Sequence, residues 1–154
     1  MVSPKLIHQI DDHSEQVSGR FLRLLRNSQD LPDIARLTEN EVTELCRRAL
    51  TSLSNWLVSS SESGLAWTYE KAGAERLRQG IPLSEAIRAI QFIKDATVSF
   101  IQDESIVENS VDVYSEEEFE NHLGRFFDLV IYHLARGYEN AAHANAHAAR
   151  AGGR

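Results

Sequence analysis

The densest apolar pattern in the chain runs through "GIPLSEAIRAIQFIKDATVSFI", residues 80–101. At about 100° per residue, Ser84, Arg88, Gln91, Asp95 and Gln102 gather into one narrow polar stripe. Leu83, Ala86, Ile87, Ala89, Ile90, Phe92, Ile93, Ala96, Val98, Phe100 and Ile101 wrap most of the remaining surface. That surface exceeds what one neighbouring helix covers, so the pattern predicts a helix packed on two flanks.

The other periodic segments also read as helices. Ser3-Pro4 offers an N-cap followed by proline at the first helical position, opening a helix over about 4–27. Within it Ile7, Ile10, Ser14, Val17, Phe21 and Leu24 form a short heptad-like seam. "NSQDLPD", residues 27–33, is turn chemistry. Thr38 to Glu41 then forms a capping box, with Leu37 and Val42 as its hydrophobic staple, and starts a second helix that runs to about Val58. The inward face of this helix is Val42, Leu45, Ala49, Leu53, Trp56 and Leu57. "SSSESG", residues 59–64, breaks it.

A third helix over about 65–79 turns Leu65, Tyr69, Ala72, Gly73 and Leu77 inward, leaving Glu70, Lys71, Arg76 and Arg78 on a solvated face. Gly80 suits the left-handed residue past a helix end, and Pro82 opens the fourth helix. Residues 103–114 read as a loop. Ser115 to Glu118 is a second capping box, with Tyr114 and Phe119 as its staple and its carboxylates complementing the helix dipole. The last helix carries Phe119, Leu123, Phe126, Phe127, Val130, Ile131, Leu134 and Tyr138, and its pattern extends to about 149 before "AGGR".

No segment alternates like a strand, and no long repeat is visible. The fold class is all-α, with about five main helices. Their unequal lengths and the two-sided fourth helix favour globin-like crossed packing over a regular up-and-down bundle. Residues 1–142 read as one helical domain and 143–154 as an Ala/Gly-rich C-terminal tail.

Length and charge narrow the function. A chain of 154 residues can bury a full core without staples. The single Cys46 excludes an internal disulfide framework and a cysteine zinc site. A formal charge of −7, with arginines interleaved among carboxylates, argues against nucleic acid as a partner. No run resembles a signal segment or a membrane span, so a cytoplasmic location off the membrane is the expectation.

Catalytic motifs are missing: there is no Gly-rich phosphate loop, no G-x-S-x-G, no H-E-x-x-H and no Cys-x-x-Cys. Cys46 beside Arg47 and Arg48 reads as a packed thiol or, alternatively, as an activated one. The histidines are His8, His13, His122, His133, His143 and His147. None falls in 65–80, where a globin-type haem would need its proximal ligand, so no cofactor is expected. If haem were bound, His133 would be the candidate, although its apolar neighbours suit a packing role. His143 and His147, one turn apart after Glu139, are the metal candidates, but only alanine surrounds them and no metal is expected. Neither "ENHLGR" nor "IYHLAR" has the acidic residue and proline of a kinase phosphoacceptor. Trp56, Trp67, Tyr69, Phe92, Phe126 and Phe127 could line an apolar ligand cavity or fill an ordinary core.

"YEKAGAERLRQGIPLSEAIRAIQFIKDATVSFI", residues 69–101, and "EFENHLGRFFDLVIYHLARGYENA", residues 118–141, resemble the N-terminal domain of RsbR-type regulators. That family includes the stressosome RsbT co-antagonists and related sensor regions of some bacterial histidine kinases. The shared pattern is Arg-x-x-Gly, a Pro-Leu-x-Glu helix start, a long apolar helix, and a final helix with the aromatic pair Phe126-Phe127 and the late Tyr138. The resemblance implies a non-haem, globin-like sensor without catalytic residues. It further implies a homodimer that signals through its last helix to a regulatory protein partner or to a C-terminal output domain in a longer protein. On this reading the fourth helix packs one flank on the second and third helices and the other on the last helix and a second subunit. Phe126, Val130, His133 and Leu134 are the expected interface residues, with the Ile7 to Leu24 seam as the alternative.

Overall fold

The computed structural model describes the backbone of residues 4–59, 61–104 and 110–152, and side chains within 8–103 and 117–152. It is an all-α, globin-like bundle, with no strand among the described residues. The helices are α1 (Pro4–Asp12), α2 (Ser14–Asn27), α3 (Glu39–Ser59), α4 (Glu62–Arg78), α5 (Leu83–Glu104) and α6 (Ser110–Gly152), and a short 3₁₀ turn (Ile34–Arg36) precedes α3.

The single helix expected over 4–27 is instead two. His13 leaves the helical region at φ −120°, ψ 27°. No glycine or proline marks this break. The His13 ring donates to the Gln9 carbonyl at 2.8 Å and lies 5.5 Å from the Phe100 ring of α5, so a tertiary contact overrides local propensity. The break lets α1 lean on α3 while α2 lies between α3 and α5. Ile10, Val17 and Phe21 of the seam are buried in the chain's own core.

Local punctuation follows the sequence closely at several junctions. The Thr38 N–H donates to Glu41 Oε1 at 3.2 Å and the Glu41 N–H returns to Thr38 Oγ1 at 3.1 Å, so the capping box forms. At the end of α4, Gly80 takes φ +74°. The Gly80 N–H bonds the Leu77 carbonyl and the Ile81 N–H bonds the Arg76 carbonyl, a Schellman motif that only an unhindered left-handed residue closes cheaply. The Tyr138 hydroxyl donates to the Ile81 carbonyl at 2.8 Å and ties this turn to α6.

Two boundaries differ. Helix α4 begins at Glu62, capped by Ser61, earlier than the expected 65. Helix α6 begins at Ser110, so the Ser115 to Glu118 box lies inside the helix and does not start it. A capping sequence acts only where the chain turns away before it, and residues 110–114 contain no glycine or proline to force that turn. The rest of the expected loop, 105–109, lies outside the described residues, and α5 continues through 103–104.

Helices α4 and α6 pack along each other as the most extensive helix pair, and α5 bridges α2 and α6. Phe21, Phe119, Phe126 and Phe127 fill the centre, with Phe126 and Phe127 edge to face at 5.0 Å. Burial of each such ring contributes roughly 2–3 kcal/mol. The expected neighbours of α5 need one correction. Its last-helix flank is as anticipated, but its other main partner is α2; it meets α4 only briefly. The apolar positions assigned to α3 and α4 face a gap.

Candidate functional site

That gap is a cleft of about 770 Å³ between α3, α4 and α5. It exists because the facing positions are small: Ala49 on α3, Ala72 on α4, and Ala86 and Ala89 on α5 leave room that larger side chains would fill. Ile90 and Ile93 of α5 and Leu134 of α6 complete an apolar floor, Tyr69 forms part of the wall, and Ile34 and Leu37 close one end. The rim is charged, with Glu41, Glu44 and Arg48 from α3 facing Lys71 and Glu75 from α4.

Arg76 also lines the cleft. The sequence pattern put it on a solvated face, but the side chain is only 8 % exposed. The signal for burial was positional: Leu65, Tyr69, Gly73 and Arg76 recur at helical spacing, and the residue type masked the stripe. Its Nε has no hydrogen-bond partner among the described residues. Burial lowers the Arg76 pKa, assisted by Arg48 and opposed by Glu75 and Glu41. The cleft carboxylates are committed elsewhere. Glu44 accepts from Arg47 and Arg48, Glu75 pairs with Arg78, and Glu41 is held in the capping box. These arginine pairs hold the carboxyls of Glu44 and Glu75 below the usual range.

Glu85 is a second buried charge that the sequence did not reveal. At 6 % exposure its Oε1 accepts the N–H of Asp33 at 2.9 Å and of Ile34 at 3.3 Å, capping the 3₁₀ turn at the end of the cleft.

The remaining candidates separate clearly. Trp56 is core, 5.9 Å from Phe126. Trp67, grouped with it as a cavity or core aromatic, is 65 % exposed at the cleft rim, with Lys71 Nζ 4.2 Å from its ring centroid. Cys46 is fully buried, and burial pushes its thiol up to about 11, which is the opposite of activation; Arg47 and Arg48 turn to Glu44 instead.

Phe126, Val130, His133 and Leu134 are all buried within one chain. Tyr132 is the exposed large apolar side chain of that stretch, at 56 %. His133 sits with Nε2 3.2 Å from Glu62 Oε1 and is not among the cleft residues. His143 and His147 are exposed on the far end of α6. Among the described residues no three His, Cys, Asp or Glu side chains form a group that could hold a metal ion.

The geometry defines a class by fold, a globin-like all-α domain with a cleft between three of its helices. Within that class the chain matches the family described as the RsbT co-antagonist protein rsbRD N-terminal domain over residues 15–152, and it belongs to that family. It is an RsbR-type signalling domain. No curated protein and no solved structure matches it. None of the described helices is long and apolar enough to cross a membrane.

Proposed function

We propose that this domain is a cytoplasmic, non-catalytic sensor that forms a homodimer and passes its signal through α6 to a partner protein or an attached output domain. The observation that carries the reading is the course of α6, a helix of 43 residues. Its inward seam, Val130, Leu134, Gly137, Ala141, Ala144, Ala148 and Ala151, keeps alternating spacings of four and three. Val130, Leu134 and Gly137 are buried in the body, Ala141 is half-buried, and residues 143–152 are exposed all round. The same seam that packs inside the domain therefore runs out of it for about 15 Å. The family match reaches residue 152 and includes this projecting segment.

Alanine at every seam position of the projection allows two helices to approach closely, which suits pairing with a second copy. Leu134 lines the cleft and shares its helix with the projection, so a shift of α6 at the cleft reaches the exposed end without a joint. The domain works without haem on this reading: no histidine lines the cleft, and His133 faces Glu62. A bound small molecule is favoured over haem as the input because the cleft has the size of a ligand site.

Sedimentation velocity across a concentration range tests the dimer. A two-subunit species that Ala144→Glu with Ala148→Glu dissociates is the expected result. A monomer at every concentration, or a dimer indifferent to both substitutions, would overturn the proposal.

A further inference from the structure

We propose that the cleft between α3, α4 and α5 binds a small apolar monocarboxylate, with Arg76 receiving the carboxylate and the alanine-lined floor receiving the hydrocarbon. This names a ligand for the sensing role proposed above, but it stands on the cleft itself. Two independent observations meet there. The first is the space, about 770 Å³ over an apolar floor. The second is a cation buried beyond nine-tenths whose Nε lacks a partner.

A buried charge without a matched partner is costly, and proteins leave such groups where a ligand completes them. No carboxylate of the cleft hydrogen-bonds that Nε, and Glu75 and Glu41 favour the charge only from a distance. Glu44 is shared by Arg47 and Arg48, Glu75 is taken by Arg78, and Glu41 closes the start of α3. The missing group is therefore an anion from outside. A guanidinium matches a carboxylate in planar, two-point geometry. One buried cation above an apolar floor suits a singly charged, mostly hydrocarbon ligand better than a phosphate, which would need more donors. Trp67 lines the rim of the same cleft, with Lys71 stationed over its ring.

Isothermal titration of the purified chain with phenylacetate, isovalerate and octanoate tests the assignment, with phenylethanol as the neutral counterpart and inorganic phosphate as the bare anion. At least one carboxylate should bind saturably. The alcohol should bind at least about tenfold more weakly, as loss of a charge-assisted hydrogen bond implies, and phosphate should not saturate. Arg76→Gln should erase the preference for the acid. Ala89→Phe, which keeps the arginine and fills the floor, should block acid and alcohol alike, so the test survives a poorly folded Arg76 variant. No binding by any of the acids, equal binding by the alcohol, saturable phosphate, or an unchanged preference in Arg76→Gln would overturn the proposal. Binding by a chain that sediments as a monomer would uphold it while overturning the homodimer.

Discussion

Gly73 on α4 and Gly137 on α6 let the two helices cross backbone to backbone. A Cβ built on Gly73 would stand 2.7 Å from the Tyr138 nitrogen and also strike the Leu134 carbonyl; one on Gly137 would stand 2.6 Å from the Glu70 carbonyl carbon. Neither obstacle is a flexible side-chain tip, so the helices themselves must move apart. Gly137→Ala should therefore destabilise the fold by about 3 kcal/mol or more. Gly124→Ala, on the same helix with nothing within 4 Å, should stabilise it by about 0.5–1 kcal/mol through helix propensity. Denaturant unfolding of the pair measures both. Equal effects would mean that the two helices do not cross backbone to backbone.

Glu85 ties the start of α5 to the 3₁₀ turn through two backbone N–H groups. Glu85→Ala leaves those donors without their acceptor in a half-buried place, at a cost of about 2–3 kcal/mol. Glu85→Gln, which keeps an accepting oxygen, should cost less. Unfolding midpoints of the two variants check the order; an Ala variant as stable as the parent would mean that solvent replaces the cap.

These contacts mark how far the sequence could be read. The capping box at Thr38, the left-handed Gly80 and the polar stripe of α5 were legible because each is decided by residues within a turn or two of one another. The break at His13 was not, since Phe100 on a distant helix helps to hold it. Arg76 and Glu85 were misplaced or missed for a related reason: charge suggests solvent, and only the packed helices bury them. The cleft itself follows from alanines on separate helices that no single segment shows to be facing one another.

Cys46 predicts an alkaline limit. Burial raises its pKa from 9.0 to about 11. Above pH 9 the unfolded thiol gives up a proton that the native thiol retains, so the unfolded state is favoured as pH rises. The contribution is fully present below pH 9 and lost by about pH 11, amounting to roughly 2–3 kcal/mol. Tyr69, pushed up to about 12 by burial, extends the fall to higher pH. Stability of the parent should decline between pH 9 and 11, and Cys46→Ala should flatten that part of the curve. Parallel curves for the two proteins would contradict the assignment.

Pairing of α6 with a second copy, by which the signal would be carried outward, is open to oxidative cross-linking of single cysteines placed at each position from 141 to 151, with buried Cys46 left in place. Disulfide-linked dimers should peak at 141, 144, 148 and 151 and fall between them. Cross-linking without positional dependence, or none at any position, would contradict it.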